Sequence, residues 1–414
     1  MGMERFLVVD NDQGNALFFE MLFKDLGFDI HLATTGDEAI NIVKEKHIQM
    51  IIVAWELAGM PGTIFIQKAR QSRNRKYLPC LIYSKRMSEE DVKLTHDLGF
   101  PDILPMPFNK EAARTMVEQM IERENNLDPI EANIRKIDTY IANGQPQEGL
   151  KLLGPKMYVE GPFLCRVETM AALVWLAMGK LDKAKESVDK ALAIEPDNNK
   201  TLQAKAKILS RLGSHDEAIE ILSKLHESSP ANLNTRIGLG SAYVKADRHD
   251  EAKKVFEGIM EIDPDCQEAK DEVAVMAFKE GNMSLAEQLI AETEAGDEMA
   301  SVFNNMAIGQ INKDEFDQGI GTYLKALALL SDKARTHLLN YNLGLAYKKK
   351  GDIEDAFKYF CKSYLIAPDY EKAYNSLAHA AKVLKEKKIK PDKELVAQVK
   401  EARTAFKSSL DKAS

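Results

Sequence analysis

The chain reads as an α/β domain followed by an all-α array: a doubly wound parallel sheet of five strands, then a solenoid of stacked helix pairs. Three observations predict this. Short apolar runs alternate with amphipathic stretches as far as about residue 124. Prolines that close apolar helices then recur at a spacing of 34 residues. Beyond residue 131 the strand-like runs vanish. Strands alternating with helices of ~10–15 residues give right-handed βαβ units, and therefore a parallel sheet covered on both faces.

The elements follow in order. Apolar runs at 5–10 (RFLVVD), 28–33 (FDIHLA), 49–54 (QMIIVA), 78–84 (LPCLIYS) and 102–106 (DILPM) are the five strands. Between them, residues 13–26, 36–47, 62–71 and 88–99 have helical periodicity, and a last helix spans about 109–124. The third strand ends at Ala54, before WELAGMPG. In an open parallel sheet the carboxyl ends of the strands are where reactive side chains sit, yet this place holds only a methyl group.

In the second half, Pro196, Pro230 and Pro264 lie 34 residues apart. The next two periods fall on Glu298 and Asp332, without proline, and Pro368 comes after 36 more residues. Stepping back from Pro196 reaches Pro162, which places a degenerate first repeat over 131–164. This period is that of the tetratricopeptide repeat, in which two helices stack against the next pair. The internal marks agree: Leu239, Gly240, Tyr243, Ala252 and Phe256 recur as Leu343, Gly344, Tyr347, Ala356 and Phe360. Ala184, Ala218 and Ala286 keep the small position, whereas the fifth repeat has Ile320 there and is expected to be looser. The reading gives a domain over 1–124, a linker over 125–130, six to seven repeats over 131–370, and capping helices with a basic tail over 371–414.

FLVVDND, WELAGMPG, LIYS and ILPMPFN occur at the ends of the first, third, fourth and fifth strands. On these residues the first domain resembles a response-regulator receiver. The resemblance implies an acidic pair and a phosphoacceptor aspartate that hold Mg²⁺, a Ser/Thr, and a lysine before Pro-Phe. In this sequence those places fall on Asp10 and Asn11, Ala54, Ser84 and Met106. An alanine cannot form an acyl phosphate, and Asn11 replaces an anionic ligand of a hard cation with a neutral one. Met106 removes the cation that would pair with phosphoryl oxygens. Asp12 and Glu56 carry carboxylates nearby, but phosphoryl transfer depends on positioning that neither supplies. Ile103 stands where the family's switch uses an aromatic ring. The expectation is a degenerate pseudo-receiver.

Composition narrows the function. The net charge of −8 argues against general nucleic-acid binding. The four cysteines are widely spaced, with no zinc pattern or disulfide framework, which suits a reducing compartment. No apolar run reaches the ~18 residues of a membrane span and no targeting segment is visible, so a cytoplasmic chain is expected. No enzyme motif, metal site or cofactor site is read, and the expectation is a non-catalytic protein. Polar residues on the first helices of the repeats are candidates for a peptide-holding groove: Asn199, Gln203, Asn234, Arg236, Asn304, Asn305, Asn340, Asn342 and Asn375. The basic tail from Lys382 keeps Ile389, Leu395, Val396, Val399 and Phe406 at helical spacing, as a capping helix would.

These features point to an adaptor or scaffold in a bacterial two-component pathway. Its expected partners are proteins: a histidine kinase, another response regulator, or a localisation or assembly factor, with a homodimer through the receiver as a further possibility. The alternative is a factor that localises a cell-pole, motility or secretion assembly, with the first domain serving only to dock, pair or cap.

Overall fold

The computed structural model describes residues 5–24, 26–71, 75–100, 102–292, 296–330 and 336–413. The chain divides into two compact units, Met1–Cys266 and Gln267–Ser414. The first begins with five parallel strands, β1 (Arg5–Val9), β2 (Asp29–Ala33), β3 (Met50–Ala54), β4 (Cys80–Ser84) and β5 (Ile103–Pro105), in the order β2-β1-β3-β4-β5. Helices α1 (Gln13–Lys24), α2 (Gly36–Glu45), α3 (Gly62–Arg70), α4 (Glu89–Leu98) and α5 (Lys110–Asn125) connect and follow them.

β3 and β4 are buried along their whole length, as central strands covered on both faces must be. Phe6, Val8, Met50, Ile52, Ala54, Leu81 and Tyr83 alternate onto one sheet face. They pack there with Phe19 and Phe23 of α1 and with Ala113, Val117 and Met120 of α5. Helix starts are fixed locally: Ser88 and Asp91 form a reciprocal capping box on α4, and Asn109 accepts from the first amides of α5.

The unit continues with eight helices: α6 (Pro129–Ala142), α7 (Pro146–Leu152), α8 (Leu164–Ala177), α9 (Leu181–Ile194), α10 (Asn199–Leu212), α11 (His215–Ser228), α12 (Leu233–Lys245) and α13 (His249–Ile262). α9, α11 and α13 each stop two residues before Pro196, Pro230 and Pro264, because a proline cannot donate the next backbone bond. Asn198 and Asn232, 34 residues apart, are the N-caps of α10 and α12 and accept from the amides of Thr201 and Thr235.

The second unit holds α14 (Gln267–Glu280), α15 (Met283–Ala291), α16 (Gly296–Asn312), α17 (Phe316–Leu329), α18 (His337–Lys350), α19 (Ile353–Ile366), α20 (Glu371–Glu386) and α21 (Lys393–Ala413). Of the two periods lacking proline, Asp332 lies outside the described residues. Ile389, Leu395, Val396 and Val399 of the basic tail pack against Phe357, Phe360 and Tyr364 of α19 and Leu377 and Leu384 of α20, closing the core at that end.

The repeat glycines have a steric reason. A Cβ on Gly240 would stand 2.6 Å from the Phe256 ring, and one on Gly344 would stand 2.6 Å from Phe360. In the repeat with Ile320 the close approach falls one residue earlier. There Gly319 sits against Ile311 and the Ala307 carbonyl, while Ile320 itself is buried. By contrast, nothing lies within 4 Å of a Cβ built on Gly309 of α16. Gly240→Ala should therefore lower the unfolding free energy by ~1–3 kcal/mol through overpacking. Gly309→Ala should raise it by up to ~1 kcal/mol through helix propensity. Opposite shifts of the urea midpoints of the two variants are the expected result.

Candidate functional site

At the carboxyl edge of the sheet, Asp10, Ala54 and Ser84 come together, and Met106 packs against the same core. Asp10 is almost fully buried, at 3% exposure. Its carboxylate is already occupied: Oδ2 accepts from the Tyr83 hydroxyl at 2.6 Å and from Asn15 Nδ2 at 2.8 Å, and Oδ1 accepts from the Asp12 amide at 2.8 Å.

Tyr83 stands on β4 in register with Ala54 of β3, while Asp10 follows β1 on the other side of β3. Its side chain must therefore cross β3 to reach Asp10. It crosses at Ala54, the one residue whose side chain is a methyl group. Phe19 and Phe108 pack around the Tyr83 ring at centroid distances of 5.1 Å each. Burial, then the bond to Asp10, raises the Tyr83 pKa well beyond the ordinary phenol range, so the hydroxyl stays a donor.

The remaining positions are also engaged. Ser84 Oγ lies 2.7 Å from the Arg86 carbonyl, accepts from the Arg86 amide, and lies 3.2 Å from Glu56 Oε1. Asp12 caps α1 by accepting from the Gly14 and Asn15 amides, and Asn11 is exposed. A Cβ on Gly62 would collide with the Ala54 carbonyl, so the start of α3 is pressed against the same strand end. This donor set does not fit the Mg²⁺ of a phosphorylation site. The Asp10 carboxylate is spent on protein donors, Asn11 is neutral, and the side chain at position 54 offers no oxygen. Among the described residues no group of three His, Cys, Asp or Glu side chains gathers to hold a metal.

A second feature was not anticipated from the sequence. α3 is buried nearly all round, including Thr63 and Gln67, because its outer side meets the helical repeats. Gln67 Nε2 donates to the Ala231 carbonyl at 3.1 Å, and its Oε1 accepts from the Leu233 amide at 2.9 Å, just where α12 begins. Lys68 Nζ pairs with Asp263, the C-cap of α13, at 2.7 Å, with the carboxylate only 1% exposed. Before β4, Lys76 and Tyr77 both reach Asp138 of α6, at 2.7 and 3.0 Å, and Arg135 stacks over the Tyr77 ring. Ser229 donates to Asp97 of α4 at 2.8 Å. Burial, then Asp138, raises the Tyr77 pKa far above its usual value. Residues 76 and 77 precede β4, so this junction lies at the amino side of the sheet, away from Ala54.

The groove candidates fall in two sets. In the first unit, Asn199 and Gln203 lie on α10, and Asn234 and Arg236 on α12; Gln203 donates to Thr235 Oγ1 at 2.9 Å. In the second unit, Asn304 on α16 accepts from Asn342 on α18 at 2.7 Å and from the Tyr323 hydroxyl. Asn340 is buried and donates to the Thr336 carbonyl, whereas Asn305 and Asn375 are exposed.

Two variants test these contacts. Tyr83→Phe leaves the buried Asp10 carboxylate short of one donor and should destabilise the first unit by ~1–3 kcal/mol in urea unfolding. Lys68→Ala leaves Asp263 buried without its cation and should cost ~3–5 kcal/mol in the same measurement, far more than an exposed lysine.

Comparison with known proteins accords with this geometry. The response regulator receiver domain family matches residues 6–118, and tetratricopeptide repeat families match 175–225, 209–277 and 338–370. The aerobic respiration control protein ArcA of Escherichia coli K12 is 22% identical over 235 residues, 54% of this chain and 88% of its own length. The CTR9 homolog of Arabidopsis thaliana is 24% identical over 213 residues, 47% of this chain and 19% of its own length. Among solved structures, the chemotaxis response regulator CheY4 of Vibrio cholerae is 23% identical, with a TM-score of 0.27, covering 28% of this chain and 98% of its own. No described helix is long and apolar enough to cross a membrane. The chain joins a response regulator receiver domain to tetratricopeptide repeats, an architecture of two-component signalling and protein–protein interaction.

Proposed function

We propose that this chain is a non-catalytic adaptor. A pseudo-receiver, residues 1–124, is joined through 125–130 to a protein-binding solenoid over 131–370, closed by 371–414. The observation that carries this reading is the filled pocket: Tyr83 crosses Ala54 and bonds the carboxylate that phosphorylation chemistry would need free. Met106 and Asn11 support it, since neither can replace a lysine or an anionic metal ligand. The receiver is then kept for its surface, which engages a histidine kinase or another regulator in the cytoplasm while the repeats engage a second protein.

A second reading is favoured by the junction at α3. A receiver clamped to α12 and α13 can serve as a cap that covers the first repeats of a localisation or assembly factor. A competition assay separates the two. The intact chain is added to an active kinase–receiver pair of the host: slowed phosphoryl transfer supports the adaptor, and unchanged transfer supports the cap.

The pseudo-receiver itself is tested with acetyl phosphate and Mg²⁺. The wild-type chain should form no acid-labile phosphoryl adduct, and Ala54→Asp alone should not restore one, because Tyr83 still holds Asp10. A stoichiometric adduct on the wild-type chain overturns the reading.

A further inference from the structure

The repeat formed by α16 and α17 differs from its siblings in what it leaves empty. Two residues after the small position that lets paired helices approach, Ala252 is followed by Lys254 and Ala356 by Lys358. Here Gly319 is followed by Gly321. On the facing helix, Gln310 accepts from the Thr322 hydroxyl at 2.7 Å, which sets Gly309 beside Gly321. Nothing lies within 4 Å of a Cβ built on either glycine. The result is a trough of about 710 Å³ between α16 and α17, bounded also by Phe278 and Lys279 at the end of α14. Asp317, Gly321 and Lys325 recur every fourth residue along α17, so the trough runs for ~12 Å.

Its walls are short of negative charge. Lys279, Lys313 and Lys325 line it, and none of their side chains has an ion pair among the described residues. Asp317 is the one acid among the described lining residues, and Lys350 takes it at 2.8 Å. Asp314, next to Lys313, lies 3.9 Å from Lys349. Three cations are therefore left over here in a protein whose net charge is −8. At the rim, the exposed Asn305 and Gln318 hold side-chain amides with no hydrogen-bond partner among the described residues.

We propose that this trough binds an acidic peptide segment in extended form, with its backbone over Gly309 and Gly321 and its carboxylates toward Lys279, Lys313 and Lys325. This rests on the reading of the repeats as a protein-binding surface and names the chemistry of the ligand. The unpaired lysines call for an anion, and the amides select which one. An amide side chain offers a donor and an acceptor together, the pair a peptide backbone needs. Gln67 satisfies the Ala231 carbonyl and the Leu233 amide in this way elsewhere in the chain. A phosphate group would use only the donors. A nucleobase would need a free aromatic face, and Phe278 is buried and already stacked on Phe303 at 4.1 Å. At ~3.3 Å per residue the trough takes about four residues of extended chain.

The test uses the full-length chain and fluorescein-labelled octaglutamate, followed by fluorescence anisotropy at low salt, where exposed charges are least screened. The double variant K313A/K325A should bind at least ~10-fold more weakly than wild type. G309L/G321L fills the trough without changing the charge and should weaken binding as much. K254A/K358A, the same charge change in the sibling repeats, should bind as wild type does. Circular dichroism checks that each variant keeps its helix content. Absence of binding to the wild-type chain overturns the proposal, as does equal binding by wild type and K313A/K325A. Equal weakening in K254A/K358A overturns it by showing diffuse attraction, and undiminished binding by G309L/G321L by placing the peptide outside the trough. Displacement by inorganic pyrophosphate or a single-stranded oligonucleotide at matching concentration overturns it in favour of a phosphate ligand. The two readings fail separately. If binding depends on the trough while kinase competition is absent, the site stands and only the adaptor reading falls; kinase competition without peptide binding leaves the adaptor and removes the site.

Discussion

Helix α3 has no face left for water, and much of the first unit is arranged around that constraint. One side is pressed against the end of β3, where Gly62 admits the Ala54 carbonyl. The other side offers Gln67 and Lys68 to the starts and ends of repeat helices. Gln67 is well suited to this because its amide satisfies a carbonyl and an amide of the neighbouring backbone at once, where an unpaired group would cost ~1–3 kcal/mol. The receiver and the repeats that follow it thereby pack into one compact unit.

The opposite edge of the sheet tells a related story of substitution. Ala54 is small, and its smallness has a consequence for the strand beside it. It opens a path across β3 for Tyr83, whose hydroxyl donates to Asp10. The aromatic cluster of Phe18, Phe19, Tyr83 and Phe108 then fills the space between the sheet and α1. Met106 packs against the same core as Tyr83 and Ala54.

Much of this was legible in one dimension. The alternation of five apolar runs with helices specified the parallel sheet, and the observed strands lie within the expected ones. The proline period located the helix ends, because a missing amide proton acts locally. The glycines opposite Phe256 and Phe360 followed from the repeat itself. At Ile320, where the repeat's small residue is absent, the neighbouring Gly319 supplies a close approach instead. The groove asparagines show the other boundary. Residue type and helix position placed them on first helices, but whether an amide is spent on a neighbour, as Asn304 and Asn342 are, depends on side chains 38 residues away.

The sequence by itself determined the two architectures and their order, because each rests on periodicity. Only the tertiary structure decided which side chain meets Asp10 and how the receiver is held. Tyr83 and Asp10 are 73 residues apart, and Lys68 and Asp263 are 195 apart. Pairings of that separation are set by how sheet and repeats pack, a three-dimensional constraint that leaves no periodic mark on the chain.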